Sequence, residues 1–417
     1  LRKRWPLWLT LALVVYAAGI CLYFTFGNLY APSPQYAGTP ADPGTFMTPE
    51  QIHKGESLSR IHSLVYFIAT PLHAAVLALL LGFGVRLRNR LESRLRSSLL
   101  RTALFVLVFL AVIDLLFLPL DYVLLRVDRG YGLSNTPLST FLFDHVKDLG
   151  VEWVSTGFVA IVLLWLMKRS PKRWWLWLSV ISVPLVVFVT FLQPVVLDPL
   201  YNKFEPLHNA SLKGKILALA TSADIPAHQV YEVNMSARTN AVNAYVTGIG
   251  QSARIVLWDT TLNKLKDDEI LVIMAHEMGH YKEKHIYIET AVGIVVTFAL
   301  LWASQRLLEQ FVRRGGHRFG IRREGPDLAA LPALLLIVTM LGIALTPAQN
   351  AFSRYLEHRA DAYAMRLTGD GDAAIRAFQK IAKDNLSPVK QPPLVVWFRG
   401  THPDLQDRIV FFEQFKK

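Results

Sequence analysis

Residues 275–280 read Ala275-His276-Glu277-Met278-Gly279-His280, and this HExxH stretch decides how the rest of the chain is read. On an α-helix, positions i and i+4 share one face a turn apart, so His276 and His280 can turn a ring nitrogen toward one ion. Glu277 projects about a third of a turn to the side, placed to take a proton from water without being a ligand. Zinc held by such a pair keeps an open coordination position, the requirement for metal-assisted hydrolysis. With 12 histidines in 417 residues, a chance match is expected on the order of 0.01 times per chain of this composition. The bland alternative is a surface helix with two solvated histidines. The flanks oppose it. Asp267, Asp268 and Glu269 supply the negative charge that a helix N-terminus favours, and the apolar run Ile270 to Ala275 drives the segment into a core.

Two histidines do not complete a catalytic zinc site, and the candidate third ligand lies in Asn350-Ala351-Phe352-Ser353-Arg354-Tyr355-Leu356-Glu357-His358-Arg359-Ala360-Asp361. Glu357 and Asp361 are again i and i+4. In one reading Glu357 binds the ion while Asp361 hydrogen-bonds the far nitrogen of a ligand histidine and fixes its tautomer. In the other they form the solvated face of an ordinary amphipathic helix, and spacing alone does not choose. Cys21 is the only cysteine, so no disulfide framework and no thiolate ligand are available.

Hydrophobic residues make up 52% of the chain and charged residues only 18%, which is wrong for a purely soluble protein of this size. Seven apolar runs approach the ~20 residues that a bilayer core requires: 5–26, 61–84, 102–125, 151–167, 174–197, 286–310 and 328–348. The first follows Arg2, Lys3 and Arg4 and reads as a retained span rather than a cleaved signal peptide. Pro184 and Pro194 interrupt the fifth. Asp114 falls within the third, where a charge facing lipid is costly, so it is expected to face water or a basic partner inside the bundle. The net charge of +12 does not indicate nucleic acid. Its arginines cluster at span ends (Arg86, Arg88, Arg90, Arg94, Arg96 and Arg101; Arg313, Arg314, Arg318, Arg322 and Arg323) beside Trp174, Trp175 and Trp177, as membrane-interface anchors do.

Two spans separate His280 from Glu357, an even number, so both emerge on the same side of the membrane. A segment at about 198–285 carries three strand-like stretches, 230–233, 243–248 and 254–258. Asn243, Ala244 and Tyr245 belong to a stretch that is either an edge able to pair with a peptide or simply core sheet.

These residues resemble the integral-membrane zinc metalloproteases that include the type I CAAX prenyl proteases. The likeness covers roughly residues 60–412. It rests on Leu118-Pro119 through Tyr131-Gly132 with Phe141, Asp144 and Lys147, and on Pro199-Leu200-Tyr201-Asn202-Lys203-Phe204 with Pro206-Leu207. Asn243 to Gly248, the HExxH with His285, Ser353-Arg354 with Glu357 and Asp361, Asp384-Asn385-Leu386-Ser387, Thr401-His402-Pro403 and Arg408-Ile409 follow in order. The resemblance implies one zinc per chain on His276, His280 and Glu357, with Glu277 as general base and Asp361 as a second catalytic or supporting acid. It also implies His402 and Arg408 near the metal, where they would stabilise a developing oxyanion. His285 and His358 have no ligand geometry derivable from spacing.

The expected fold is an α-helical polytopic membrane protein, with about seven transmembrane helices enclosing a chamber. A split zincin-like metallopeptidase domain carries a small β-sheet. The division is 1–197 (five spans), 198–285 (with HExxH), 286–348 (two-span hairpin) and 349–417 (with ExxxD). The expected activity is zinc-dependent endoproteolysis of peptide or protein substrates, prenylated C-termini by resemblance. A broader membrane-protein quality-control protease is the alternative, and a transporter or scaffold with a vestigial site is a third. Orientation adds a tension. The basic loops near residues 90, 170 and 318 belong in the cytoplasm, which puts the catalytic segments outside it, whereas eukaryotic family members keep theirs cytosolic.

Overall fold

The computed structural model describes residues 5–27, 29–196, 200–227, 229–247, 254–323 and 325–416. Five helices come first: α1 (Trp5–Phe26), α2 (Pro49–Arg94), α3 (Ser98–Gly130), α4 (Leu138–Arg169) and α5 (Trp174–Val196). Next are β1 (Phe204–Pro206), α6 (Ala210–Ser222), β2 (Gln229–Val233), β3 (Ala244–Thr247), β4 (Arg254–Trp258), α7 (Asp259–Lys264) and α8 (Asp267–Lys282). Two long helices, α9 (His285–Arg314) and α10 (Leu331–Thr368), lead to α11 (Gly371–Asp384), α12 (Pro393–Phe398) and α13 (Leu405–Glu413).

Among the described residues, six helices are long and apolar enough to cross a membrane, and α5 adds the apolar stretch Trp174–Thr190. The spans are embedded in helices much longer than a bilayer needs. Helix α2 has 46 residues, opened by a capping box in which Thr48 and Gln51 satisfy each other's backbone N–H. Pro71, Pro119 and Pro347 lie inside α2, α3 and α10 without ending them, and α5 likewise runs through Pro184 and Pro194. In membrane helices, neighbouring groups re-satisfy the backbone that proline frees. The boundary expected at 348/349 falls inside α10, so the second span of the hairpin and the ExxxD segment lie on one continuous helix.

None of the residues in the most apolar window of α9 is buried, although the helix lies against α5 and α10. Asp114 meets His145 at 3.2 Å, both side chains partly exposed, so its partner is an imidazole rather than a lysine or arginine. Two expected interface anchors prove otherwise. Arg88 is buried against Asp327 at 2.5 Å, and Trp174 is 2% exposed within a helix-packing core.

The sheet has the order β1-β2-β4-β3, with β2 and β4 parallel and the outer strands antiparallel. The three strand-like stretches are β2, β3 and β4; Gly248, which closes the second, and Pro199 lie outside the described residues. Strand β1 has no counterpart among them, since three residues beside Pro206 carry no period-2 signal. Helix α8 is buried all round. Ile270, Met274 and Met278 pack on the sheet and α6, while Val272 and Ala275 face α10, α11 and α13.

Candidate active site

Three elements bring the site together: α8 with His276 and His280, α10 with Glu357 and Asp361, and the α12–α13 segment with His402 and Arg408. Helix α8 starts on Lys266, whose backbone N–H donates to Glu269 at 2.7 Å, and Glu269 in turn pairs with Lys380. Gly279 lets α10 come close, since a Cβ there would lie 3.2 Å from the Cα and carbonyl oxygen of Ala360.

The two Nε2 atoms of His276 and His280 are 3.2 Å apart. Glu357 places one oxygen 3.3 Å from His276 and the other 3.4 Å from His280. A tetrahedral ion with bonds of ~2.0–2.1 Å separates its ligand atoms by about 3.3–3.4 Å, so the three side chains already stand at the spacing that zinc needs. Glu357 is 8% exposed, and its Oε2 is buried with no hydrogen-bond partner in the protein. A buried carboxylate oxygen left this way fits a cation. Burial disfavours a charged His276, but the neighbouring carboxylates of Asp361 and Glu357 outweigh it and push the imidazole up to about 9. The site thus carries a negative field that attracts positive charge.

His276 Nδ1 lies 2.8 Å from Asp361, whose two oxygens accept from Arg408 at 2.8 and 2.6 Å. Arg408 stacks over Phe378, its guanidinium carbon 4.2 Å from the ring centroid. This bidentate clamp is on the Nδ1 side of His276, away from the shared Nε2 point. The oxyanion role expected of Arg408 therefore does not match its placement, and its contacts are those of a group holding Asp361. His402 comes within 3.4 Å of Glu357 Oε2 at the open side of the site.

Glu277, Asn243, Ala244 and His402 line a cavity of about 550 Å³ together with Ile273 and Arg408. Tyr245 is not in its wall. Burial holds the Glu277 carboxyl above the usual carboxylate range, the direction a proton acceptor working near neutral pH needs. Among the described residues, strand β3 is a sheet edge, paired with β4 on one side only. Asn243 is tied inward, since its N–H donates to Thr261 Oγ1 at 2.9 Å and its carbonyl accepts from Trp258. The approach to β3 is clamped by Asn385, which accepts from Val242 N–H at 2.8 Å and donates to its carbonyl at 3.3 Å. Spacing offered no sign of that role, because Asn385 arrives from 143 residues away. His358 is exposed and meets the Phe411 ring edge. His285, by contrast, lies against His280.

Membrane-spanning helices carrying this site define an integral-membrane metalloprotease. The chain belongs to peptidase family M48, which matches residues 206–415, and residues 35–203 match the CAAX prenyl protease N-terminal region of five membrane helices. It is 42% identical to the "Uncharacterized metalloprotease YhfN" of Bacillus subtilis, over 99% of this chain and 97% of that protein. CAAX prenyl protease 1 of Saccharomyces cerevisiae is 26% identical over 75% of this chain and 72% of its own length. The crystal structure of S. mikatae Ste24p has a TM-score of 0.79, covers 96% of this chain and 99% of that one, and shares 23% identity, a likeness of fold.

Proposed function

We propose that the chain is a zinc-dependent endopeptidase that cleaves peptide segments laid along β3, with His276, His280 and Glu357 holding the metal. The observation that carries this reading is the spacing of those three ligand atoms beside a general base. Zinc there would polarise the scissile carbonyl and acidify a water molecule. Glu277 takes the proton of the attacking water and delivers it to the leaving amine. His402, at the open side, donates to the carbonyl oxygen as charge develops on it. Asp361 fixes the His276 tautomer, and Arg408 holds Asp361 in place. The substrate backbone pairs with the free edge at Ala244.

Relatives named CAAX prenyl protease 1 support processing near the C-terminus of prenylated proteins as the finer reading. The basic loops opposite the site favour a second reading, a protease acting on membrane proteins from outside the cytoplasm. Glu277→Gln is the test of the core proposal. Hydrolysis should fall by ~10² to 10⁴ while metal analysis still finds one zinc per chain; near-normal turnover would assign the base elsewhere. Comparing prenylated with unprenylated peptides in the same assay separates the two substrate readings.

A further inference from the structure

We propose that His285 and Glu283 are positioning residues for His280, forming a second relay that ties the metal pair to α10. The inference rests on His280 being a metal ligand. Helix α8 ends at Lys282, and the chain turns through Glu283 and Lys284, the latter in the left-handed region at φ +59°. This corner swings His285, the first residue of α9, back onto His280. Their Nδ1 atoms are 3.0 Å apart and the rings meet edge to face at 4.9 Å. His285 is 1% exposed.

The proton positions follow from the ligand geometry. A histidine that offers Nε2 to a metal carries its proton on Nδ1. His280 Nδ1–H therefore donates, and His285 Nδ1 accepts. The proton of neutral His285 then sits on Nε2, which is buried and faces Glu283 Oε2 at 3.3 Å, a charge contact that lacks hydrogen-bond alignment. Glu283 is itself held from α10, with Arg359 Nε at 2.6 Å and Arg366 Nη2 donating at 3.2 Å. His285 is not a further ligand, because it meets the face of His280 opposite to Nε2. The two ligand histidines are thus treated alike. Asp361 backs His276 and is held by Arg408, while His285 and Glu283 back His280 and are held by Arg359 and Arg366. Both relays reach α10, the helix that carries Glu357, so all three ligands are referred to one element.

The test is zinc affinity of the full-length protein in detergent, measured by competition with a chelator. His285→Phe keeps the ring bulk and removes the acceptor, and affinity should fall ~10- to 100-fold. His285→Asn places Oδ1 near the position of Nδ1 and should recover most of that loss. Glu283→Gln, on a partly exposed corner, should weaken binding to a smaller extent. Thermal unfolding of the metal-free proteins, unchanged across the set, would show that folding is not the cause. Wild-type affinity in His285→Phe overturns the proposal, and so does an equal loss in the Phe and Asn variants, which would make the site one of packing alone. His280→Ala and Glu357→Ala distinguish the underlying assignment: if they keep their zinc, the ligand set itself is wrong.

Discussion

At the scale of single residues, partners matter more than identity. Asp404, at the rim of the cavity, has its carboxyl pushed up to about 6 by burial and then by repulsion from Asp407. In the unfolded chain it titrates near ~3.9, so the folded state holds the proton more tightly. The stability this group contributes is therefore full below about pH 4 and lost as pH rises through about 6. Asp404→Asn keeps an oxygen for the Gln391 backbone and removes the titration. The variant should unfold at higher temperature than wild type above about pH 6, by on the order of 2 kcal/mol, with the advantage gone near pH 4. A gain that is constant across pH would mean that burial of the charge is not the cause. His276 and Glu277 stand out in the sequence because helical spacing is local, and Glu357 was singled out by the even number of spans between it and His280. His285, Glu283 and Asn385 were not, because their roles depend on a corner or on a clamp from a distant helix.

At the scale of elements, the site depends on how closely α8 and α10 cross. A Cβ on Gly279 would lie 3.1 Å from Tyr363 Cβ and 3.2 Å from the Ala360 backbone, and backbone yields little. Gly279→Ala should destabilise by ~1–3 kcal/mol through overpacking and also weaken zinc binding, because spreading the helices moves Glu357 away from both histidines. Gly214→Ala in α6, where nothing lies within 4 Å, is the matched control and should be neutral or stabilising by up to ~1 kcal/mol. If Gly279→Ala bound zinc as tightly as wild type, the crossing would have slack that the distances do not suggest. The sequence marked α8 and the ExxxD segment as helical, yet it split α10 at residue 349. Hydropathy falls there but the helix continues, because backbone bonding does not need apolar side chains.

For the whole molecule, the placement of basic residues bears on which side of the membrane the site faces. The ends of α2, α4 and α9 carry the arginine-rich turns, and the metal site lies at the opposite ends of α9 and α10. The positive-inside bias predicts that Arg90 and Arg318 are cytoplasmic and that Lys215 and Asp370 are not. Single cysteines at these positions, in a protein with Cys21 replaced, can be labelled by an impermeant reagent in intact cells. Labelling at 215 and 370 alone is the expected pattern. Labelling at 90 and 318 alone would return the site to the cytosol and strengthen the C-terminal processing reading.

By itself the sequence determined the class of chemistry and the membrane setting, and it placed HExxH and ExxxD on the same side of the membrane. All three rest on periodicity along one chain: 3.6 residues per turn for the ligands, ~20 residues for a span, and an even number of spans between the two motifs. Only the tertiary structure decided what each polar side chain meets. It showed β3 at a sheet edge, where spacing had left edge and core equally open. Arg408 was found on Asp361 rather than at the metal face, and Arg88 and Trp174 were buried rather than at the membrane interface. His285 was found behind His280. Those outcomes depend on crossing angles and corners between elements, where a shift of an ångström changes which atoms are within hydrogen-bond reach, and no local pattern records them.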